Sequence, residues 1–295
     1  MARVRRKEEA SRCAPASAAA PQADCEQPFA TERVKVGSQL LRVGRAGTPG
    51  GVPLLLFNGI GGNIELLAPL ARQLPERELI TFDVPGVGQS DMPGTPYRMS
   101  HIVQLACGVL DHYGHDVADV LGISWGGAVA QQFAHGASRR CRRLILCATS
   151  TGSIMVPSRP SVALKMATPL RYVSRIYARH VAGHIYGGDF RRNTGLAGSH
   201  FKHVRWQSQL GYYYQLGAAF GWTSIHWLHR IGQPTLLMAG ADDPLVPMAN
   251  ARLMHCLIPN SVLKVFDCGH LFLLTRAERS AAEIRHFLDS PRATP

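Results

Sequence analysis

The strongest constraint on this chain is a recurring pattern. Short, unbroken apolar runs end abruptly in Gly, Asn, Ser or Asp, and longer helical stretches lie between them. Leu54–Phe57 stops at Asn58-Gly59, Leu79–Phe82 at Asp83, Val117–Ile123 at Ser124, Thr235–Ala239 at Gly240-Ala-Asp-Asp243, and Val262–Phe266 at Asp267-Cys-Gly-His270, with a further run at Leu144–Ala148. A strand with one face in water alternates apolar and polar residues, so an unbroken apolar run belongs to a strand covered on both faces. With helices between them, these strands predict an α/β fold whose central sheet is mainly parallel and flanked by helices. The 295 residues allow one large domain, and 46% hydrophobic against 18% charged residues excludes a largely disordered or fibrous chain. No stretch approaches the ~18 uninterrupted apolar residues of a membrane span, so a soluble protein without a transmembrane segment is expected.

Two segments depart from the pattern. Residues 1–28 open with Arg3, Arg5, Arg6 and Lys7 and continue through Ala, Pro, Ser and Gln without an apolar core. They read as a disordered N-terminal tail rather than a signal peptide. Residues 151–230 lose the strand–helix rhythm and are rich in aromatics, Arg and His. They read as a helical cap inserted into a core formed by 29–150 and 231–295. The cap holds ten Lys or Arg against a single acid, Asp189, and so carries most of the net charge of +12. A regional surplus of this kind is either a solvated face or a surface that meets something anionic. The seven Cys form no C-x-x-C pair and no Cys/His cluster of zinc spacing. Their odd number fits free thiols in a reducing, cytoplasmic compartment.

The chemistry centres on Gly122-Ile-Ser-Trp-Gly126, a G-x-S-x-G pattern between a β-rich run and the small-residue helix start Gly126-Gly-Ala-Val-Ala130. In a strand-to-helix elbow the serine hydroxyl is lifted to the top of the sheet. A hydroxyl needs a base to become a nucleophile, and the base needs a carboxylate to orient it. His270 follows one strand, and Asp243 follows another, in the order Ser, Asp, His. All three stand at the carboxyl ends of strands, where open α/β sheets place their sites. Asp242 rivals Asp243. The third position after Gly240 favours Asp243 as the acid and leaves Asp242 as a turn former. The oxyanion needs two backbone donors, for which the N–H groups of Trp125 and of Ile60, in the glycine loop after the first strong strand, are the candidates. That loop is not a dinucleotide fingerprint, because Ile64 stands where the last glycine belongs, and no phosphate-binding loop occurs. No cofactor or metal is expected. His184 and Asp189 fit H-x-x-x-x-D, a spacing read here as coincidence.

These residues resemble the α/β-hydrolase superfamily, and more closely the intracellular poly(3-hydroxyalkanoate) depolymerases that act on medium-chain-length polyesters. The resemblance rests on Leu55-Leu-Phe-Asn-Gly-Ile-Gly61, Phe82-Asp-Val-Pro-Gly-Val-Gly88, Gly122-Ile-Ser-Trp-Gly-Gly127, Gln131-Gln-Phe-Ala-His135, Ile185-Tyr-Gly-Gly188, Gly221-Trp-Thr-Ser-Ile-His-Trp-Leu-His229 and Gly269-His-Leu-Phe-Leu273. It implies the α/β-hydrolase fold, a Ser124–Asp243–His270 triad, a polyester substrate and work at the surface of storage granules. The tail before Gln27 has no counterpart in the family pattern.

The reading that follows is a serine ester hydrolase releasing 3-hydroxy acids or oligomers. A 3-hydroxyacyl acyltransferase or a small-ester carboxylesterase of the same fold is the alternative, although Ser124 stands where polymer synthases are expected to carry Cys. A non-enzymatic granule coat or nucleic-acid binder is the weakest reading, since no nucleic-acid motif accompanies the basic cap.

Overall fold

A computed structural model describes residues 27–193, 195–202 and 204–290, with backbone alone for 199–202. The expected tail lies outside the described residues as far as residue 26. The strands are β1 (Ala30–Val36), β2 (Gln39–Ala46), β3 (Leu54–Phe57), β4 (Leu79–Phe82), β5 (Ala118–Ile123), β6 (Cys141–Cys147), β7 (Thr235–Gly240) and β8 (Ser261–Phe266). They form one sheet in the order β1-β2-β4-β3-β5-β6-β7-β8. Of these strands β2 alone runs against its neighbours; from β4 to β8 every pairing is parallel.

The unbroken runs are explained by the two faces of this sheet. Leu55 and Phe57 of β3, Val120 of β5, and Leu144 and Leu146 of β6 enter one core with α2 (Met99–His112), α3 (Trp125–Gly136) and α10 (Met248–Leu257). The intervening Leu54, Leu56, Leu121, Ile145 and Cys147 enter a second core with α1 (Ala68–Ala71), α11 (Phe272–Thr275) and α12 (Ala277–Asp289). Each apolar residue therefore has a core whichever way it points. In α12, Ala281, Ile284 and Leu288 recur at helical spacing and are buried.

Two features differ from the sequence reading. The β1–β2 hairpin was not expected, because four of the first five β1 residues are exposed and the strand contributes little apolar signal. Its marker is Gly37 at φ 59° in the two-residue loop between Val36 and Gln39. β6 begins three residues early, at Cys141, and ends at Cys147. Its polar start, Cys141-Arg-Arg143, is held at the sheet by the Arg142–Asp119 ion pair.

Between β6 and β7 the chain forms α4 (Pro160–Met166), α5 (Leu170–Val173), α6 (Arg175–Tyr186), α7 (Gly188–Arg192), α8 (Gly195–Lys202) and α9 (Gln209–Ala219). The stems of this segment are tied by a bridge between Gly152 and Thr223. Its own apolar centre, around Ala178, Val181, Ile185 and Phe190, also takes in Leu245 and Leu271 from the loops after β7 and β8. Among the described residues no helix is long and apolar enough to cross a membrane.

Candidate active site

Ser124 occupies the turn between β5 and α3 with φ 54° and ψ −116°. Among the described residues only Ser124 and Ala148 combine a side chain with positive φ. Such a backbone costs about 1–3 kcal/mol and persists only where its surroundings enforce it. Here the Ser124 N–H donates to the Cys147 carbonyl at 2.9 Å, and the Ser124 carbonyl accepts the Thr149 hydroxyl at 2.7 Å. The turn also demands close backbone approach. A Cβ on Gly122 would lie 2.2 Å from the Gly126 carbonyl oxygen, and one on Gly126 would lie 2.3 Å from that of Phe57. Trp125 begins α3, so its N–H has no partner within the helix.

His270 and Asp243 meet although 27 residues separate them: His270 Nδ1 lies 2.7 Å from Asp243 Oδ2, and both residues are buried. The other Asp243 oxygen accepts the N–H groups of Leu245 and Val246, each at 2.9 Å. The carboxylate is thus locked by its own loop while it faces the imidazole. Asp242 turns elsewhere, accepting from the Gly188 N–H at 2.8 Å and from Arg191. The His270 loop is seated against α6, because the His270 N–H donates to the Tyr186 carbonyl at 2.8 Å. Gly187 and Gly188, at φ 64° and 45°, allow this contact; a Cβ on Gly188 would lie 2.0 Å from the Gly269 nitrogen.

Ser124, His270, Asn58, Gly59 and Ile60 line one cleft. No Ser124–His270 hydrogen bond forms among the described residues, and such bonds are often long before substrate is present. A second groove, walled by Met155, Phe220 and Trp222, shares Ile60, Ser124, Met166 and Leu245 with the first. The serine therefore lines both arms of the site.

The glycine loop is braced from several sides. Asn58 Oδ1 accepts the Gly59 N–H and Asn58 Nδ2 donates to the Asn63 carbonyl, both at 2.8 Å. From the inserted helices, the Tyr172 hydroxyl donates to the Ile60 carbonyl at 2.6 Å, and the Gln215 side-chain oxygen accepts the Gly61 N–H at 2.7 Å. The Gln215 backbone carbonyl also accepts the Trp125 indole N–H at 2.9 Å. Gln215 thus joins the loop of Ile60 to the elbow of Ser124. Tyr172, Gln215 and the cleft-lining Arg171 were not foreseen, since nothing in their local sequence marks them. The H-x-x-x-x-D residues do not form a unit: His184 meets the Ser161 hydroxyl at 3.0 Å and Asp189 pairs with Arg276.

Residues 52–277 match the model of the α/β hydrolase fold family. The chain belongs to the α/β-hydrolase family. This α/β hydrolase is 49% identical over 268 residues to a poly(3-hydroxyalkanoate) depolymerase of Ectopseudomonas oleovorans, covering 90% of this chain and 95% of the relative. It is 26% identical to a 2-hydroxymuconate semialdehyde hydrolase of Pseudomonas putida, over 81% of this chain and 87% of that one. In fold it superposes on the enol-lactonase of Burkholderia xenovorans with a TM-score of 0.76 at 20% identity, covering 88% of this chain and 100% of that one. The kinship supports a hydrolase function.

Proposed function

We propose that this chain is a serine ester hydrolase that cleaves poly(3-hydroxyalkanoate), preferentially with medium-length side chains, and releases 3-hydroxy acids or oligomers. The observation that carries this reading is the buried His270–Asp243 pair at 2.7 Å, whose imidazole lines one cleft with a serine held at positive φ. In this mechanism Ser124 Oγ attacks the ester carbonyl while His270 takes its proton and passes it to the departing hydroxyl. Asp243 holds the imidazole in the required tautomer and stabilises the imidazolium. The N–H groups of Ile60 and Trp125 receive the developing oxyanion. Water deprotonated by His270 then opens the acyl-serine and regenerates the enzyme.

The substrate assignment draws on the E. oleovorans depolymerase and on the apolar walls of both arms, where Leu67, Leu70 and Leu273 face one side and Met155, Phe220 and Trp222 the other. Residues 151–230 act as the cap over the site, and the basic surplus they carry faces the anionic coat of a cytoplasmic storage granule. The test is turnover of medium-chain against short-chain polyester, with a soluble p-nitrophenyl ester as control. The wild-type protein is expected to prefer the medium-chain polymer, and Ser124→Ala to lose activity on all three while keeping its circular dichroism. Activity retained in Ser124→Ala would remove the nucleophile assignment.

A further inference from the structure

One residue lining the cleft is chemically out of place. Arg171, on α5, is 1% exposed and shares the cleft with Ser124 and His270. The rings of Tyr172 and Tyr212 lie 4.4 and 5.2 Å from its guanidinium carbon, and its Nη1 donates to the Thr168 carbonyl at 3.2 Å. The hydroxyls of Tyr186 and Tyr212 also approach the guanidinium, but its Nε and Nη2 have no acceptor in hydrogen-bond geometry, and among the described residues no carboxylate pairs with it.

A guanidinium is seldom buried without a counter-ion, because desolvation is costly and aromatic faces offset only part of it. Orphaned buried donors are rare enough that each calls for a cause. The two orphans here are not independent. Nε and Nη2 form one edge of the guanidinium, the edge whose parallel N–H groups match the two oxygens of a carboxylate. That edge matches a planar, two-oxygen anion such as a substrate carboxylate.

We propose that the Nε–Nη2 edge of Arg171 binds the free carboxylate at the end of a hydroxyacyl chain, so that the enzyme cleaves from that end. The inference rests on the ester-hydrolase reading and sharpens its substrate class. A polyester of 3-hydroxy acids carries one free carboxylate per chain, on the same unit whose hydroxyl oxygen forms the last ester. With that carboxylate at Arg171, the last unit fills the arm lined by Leu67 and Leu70 and the rest of the chain extends along the arm walled by Phe220 and Trp222. The Ser124 oxygen bonds to the acyl carbon and the acyl–oxygen bond to the last unit breaks. The serine proton passes through His270 to the departing oxygen, which frees a 3-hydroxy acid. Water then returns the shortened chain with a new carboxylate end.

The experiment compares a dimer of 3-hydroxyoctanoate bearing a free carboxylate with its methyl ester. The wild-type protein is expected to favour the acid about 10–100-fold in kcat/KM, the range of a charge-assisted pair. In Arg171→Gln the ratio should collapse to near one, and Arg171→Lys should keep part of it. The ratio is taken within each protein, so a smaller folded fraction cancels. A second arm measures binding of 3-hydroxyoctanoate and its methyl ester to Ser124→Ala by calorimetry, where the acid should bind at least tenfold tighter and lose that advantage when Arg171→Gln is added. Equal use and equal binding of acid and ester, or a preference that survives Arg171→Gln, overturns the proposal. If p-nitrophenyl octanoate and the dimers are all left intact, the hydrolase reading fails, and the binding arm still decides whether Arg171 is a carboxylate site.

Discussion

Gly126→Ala puts the coupling between fold and chemistry under direct strain. The new Cβ would sit 2.3 Å from the Phe57 carbonyl oxygen and 2.4 Å from that of Asn58, whereas ordinary contact begins at 3.4 Å. The obstructing atoms are backbone, so the start of α3 and the end of β3 must part by about 1 Å. Overpacking of this kind costs typically 1–3 kcal/mol, and rigid backbone on both sides points to the upper end. For a domain of this size that lowers Tm by roughly 5–12 °C. The functional loss should exceed what unfolding explains, because Phe57-Asn58 leads directly into the loop that offers Ile60, and α3 begins with Trp125. Separating the proposed oxyanion donors by about 1 Å should lower kcat about 100-fold. The assay pairs thermal unfolding with kcat and KM for a p-nitrophenyl ester at 25 °C, well below the lowered Tm. Gly217→Ala serves as control: Gly217 lies in α9, nothing stands within 4 Å of a Cβ there, and the change should stabilise by about 0.5–1 kcal/mol at unchanged kcat. A Gly126→Ala protein with wild-type Tm and kcat would refute the reasoning.

Three further outcomes are expected. Asp243→Asn should lower kcat about 10⁴-fold by unsettling the His270 tautomer, while Asp242→Asn, which touches only Gly188 and the exposed Arg191, should stay within a few-fold; steady-state kinetics of the two variants side by side decides it, and equal losses would contradict it. Gln215→Leu leaves the buried Gly61 N–H without its acceptor, at a cost of about 1–3 kcal/mol; kcat should fall on every ester with KM little changed, and a pure KM effect would show that Gln215 contacts substrate instead. Burial pushes the Asp83 carboxyl up to about 6 from 3.8, against the pull of the Gln89 and Ile64 N–H groups and of Arg42. The folded protein thus holds a proton that the unfolded chain has released between those values, so this group makes stability fall as pH rises from about 4 to 6, by an amount on the order of 3 kcal/mol. Glu65 works the other way: burial raises it, but hydrogen bonds from Arg42 and Asn63 outweigh that and hold it low, so its contribution is lost as pH falls. Urea unfolding at pH 4, 5 and 6 should show the Asp83 slope in the wild-type protein and not in Asp83→Asn, and parallel curves would count against it.

The parts of this molecule that were legible in the sequence are those governed by local physics. An apolar run such as Leu54–Phe57 must have both faces covered, and its Asn-Gly exit must turn, so the strand and the position of the site at its end follow together. β1 was hidden because a half-exposed hairpin leaves only Val34 fully buried in that strand. The inserted helices were hidden for a different reason. Arg171, Tyr172 and Gln215 act through contacts with residues far away in the sequence, and helical segments that pack on loops rather than on a sheet carry no periodic mark of which residue reaches inward. The adjacent pair Asp242-Asp243 shows how the two kinds of information combine. Position along the loop favours the second acid, but both are carboxylates on the same turn with the same intrinsic chemistry. The inserted segment separates them: the Gly188 N–H and Arg191 engage Asp242, and the Asp243 oxygen that the Leu245 and Val246 amides leave free is the one facing His270. The cap is therefore part of how the loops after β7 and β8 are set, and a side chain at Gly188, whose Cβ would lie 2.0 Å from the Gly269 nitrogen, should reach the imidazole without touching it.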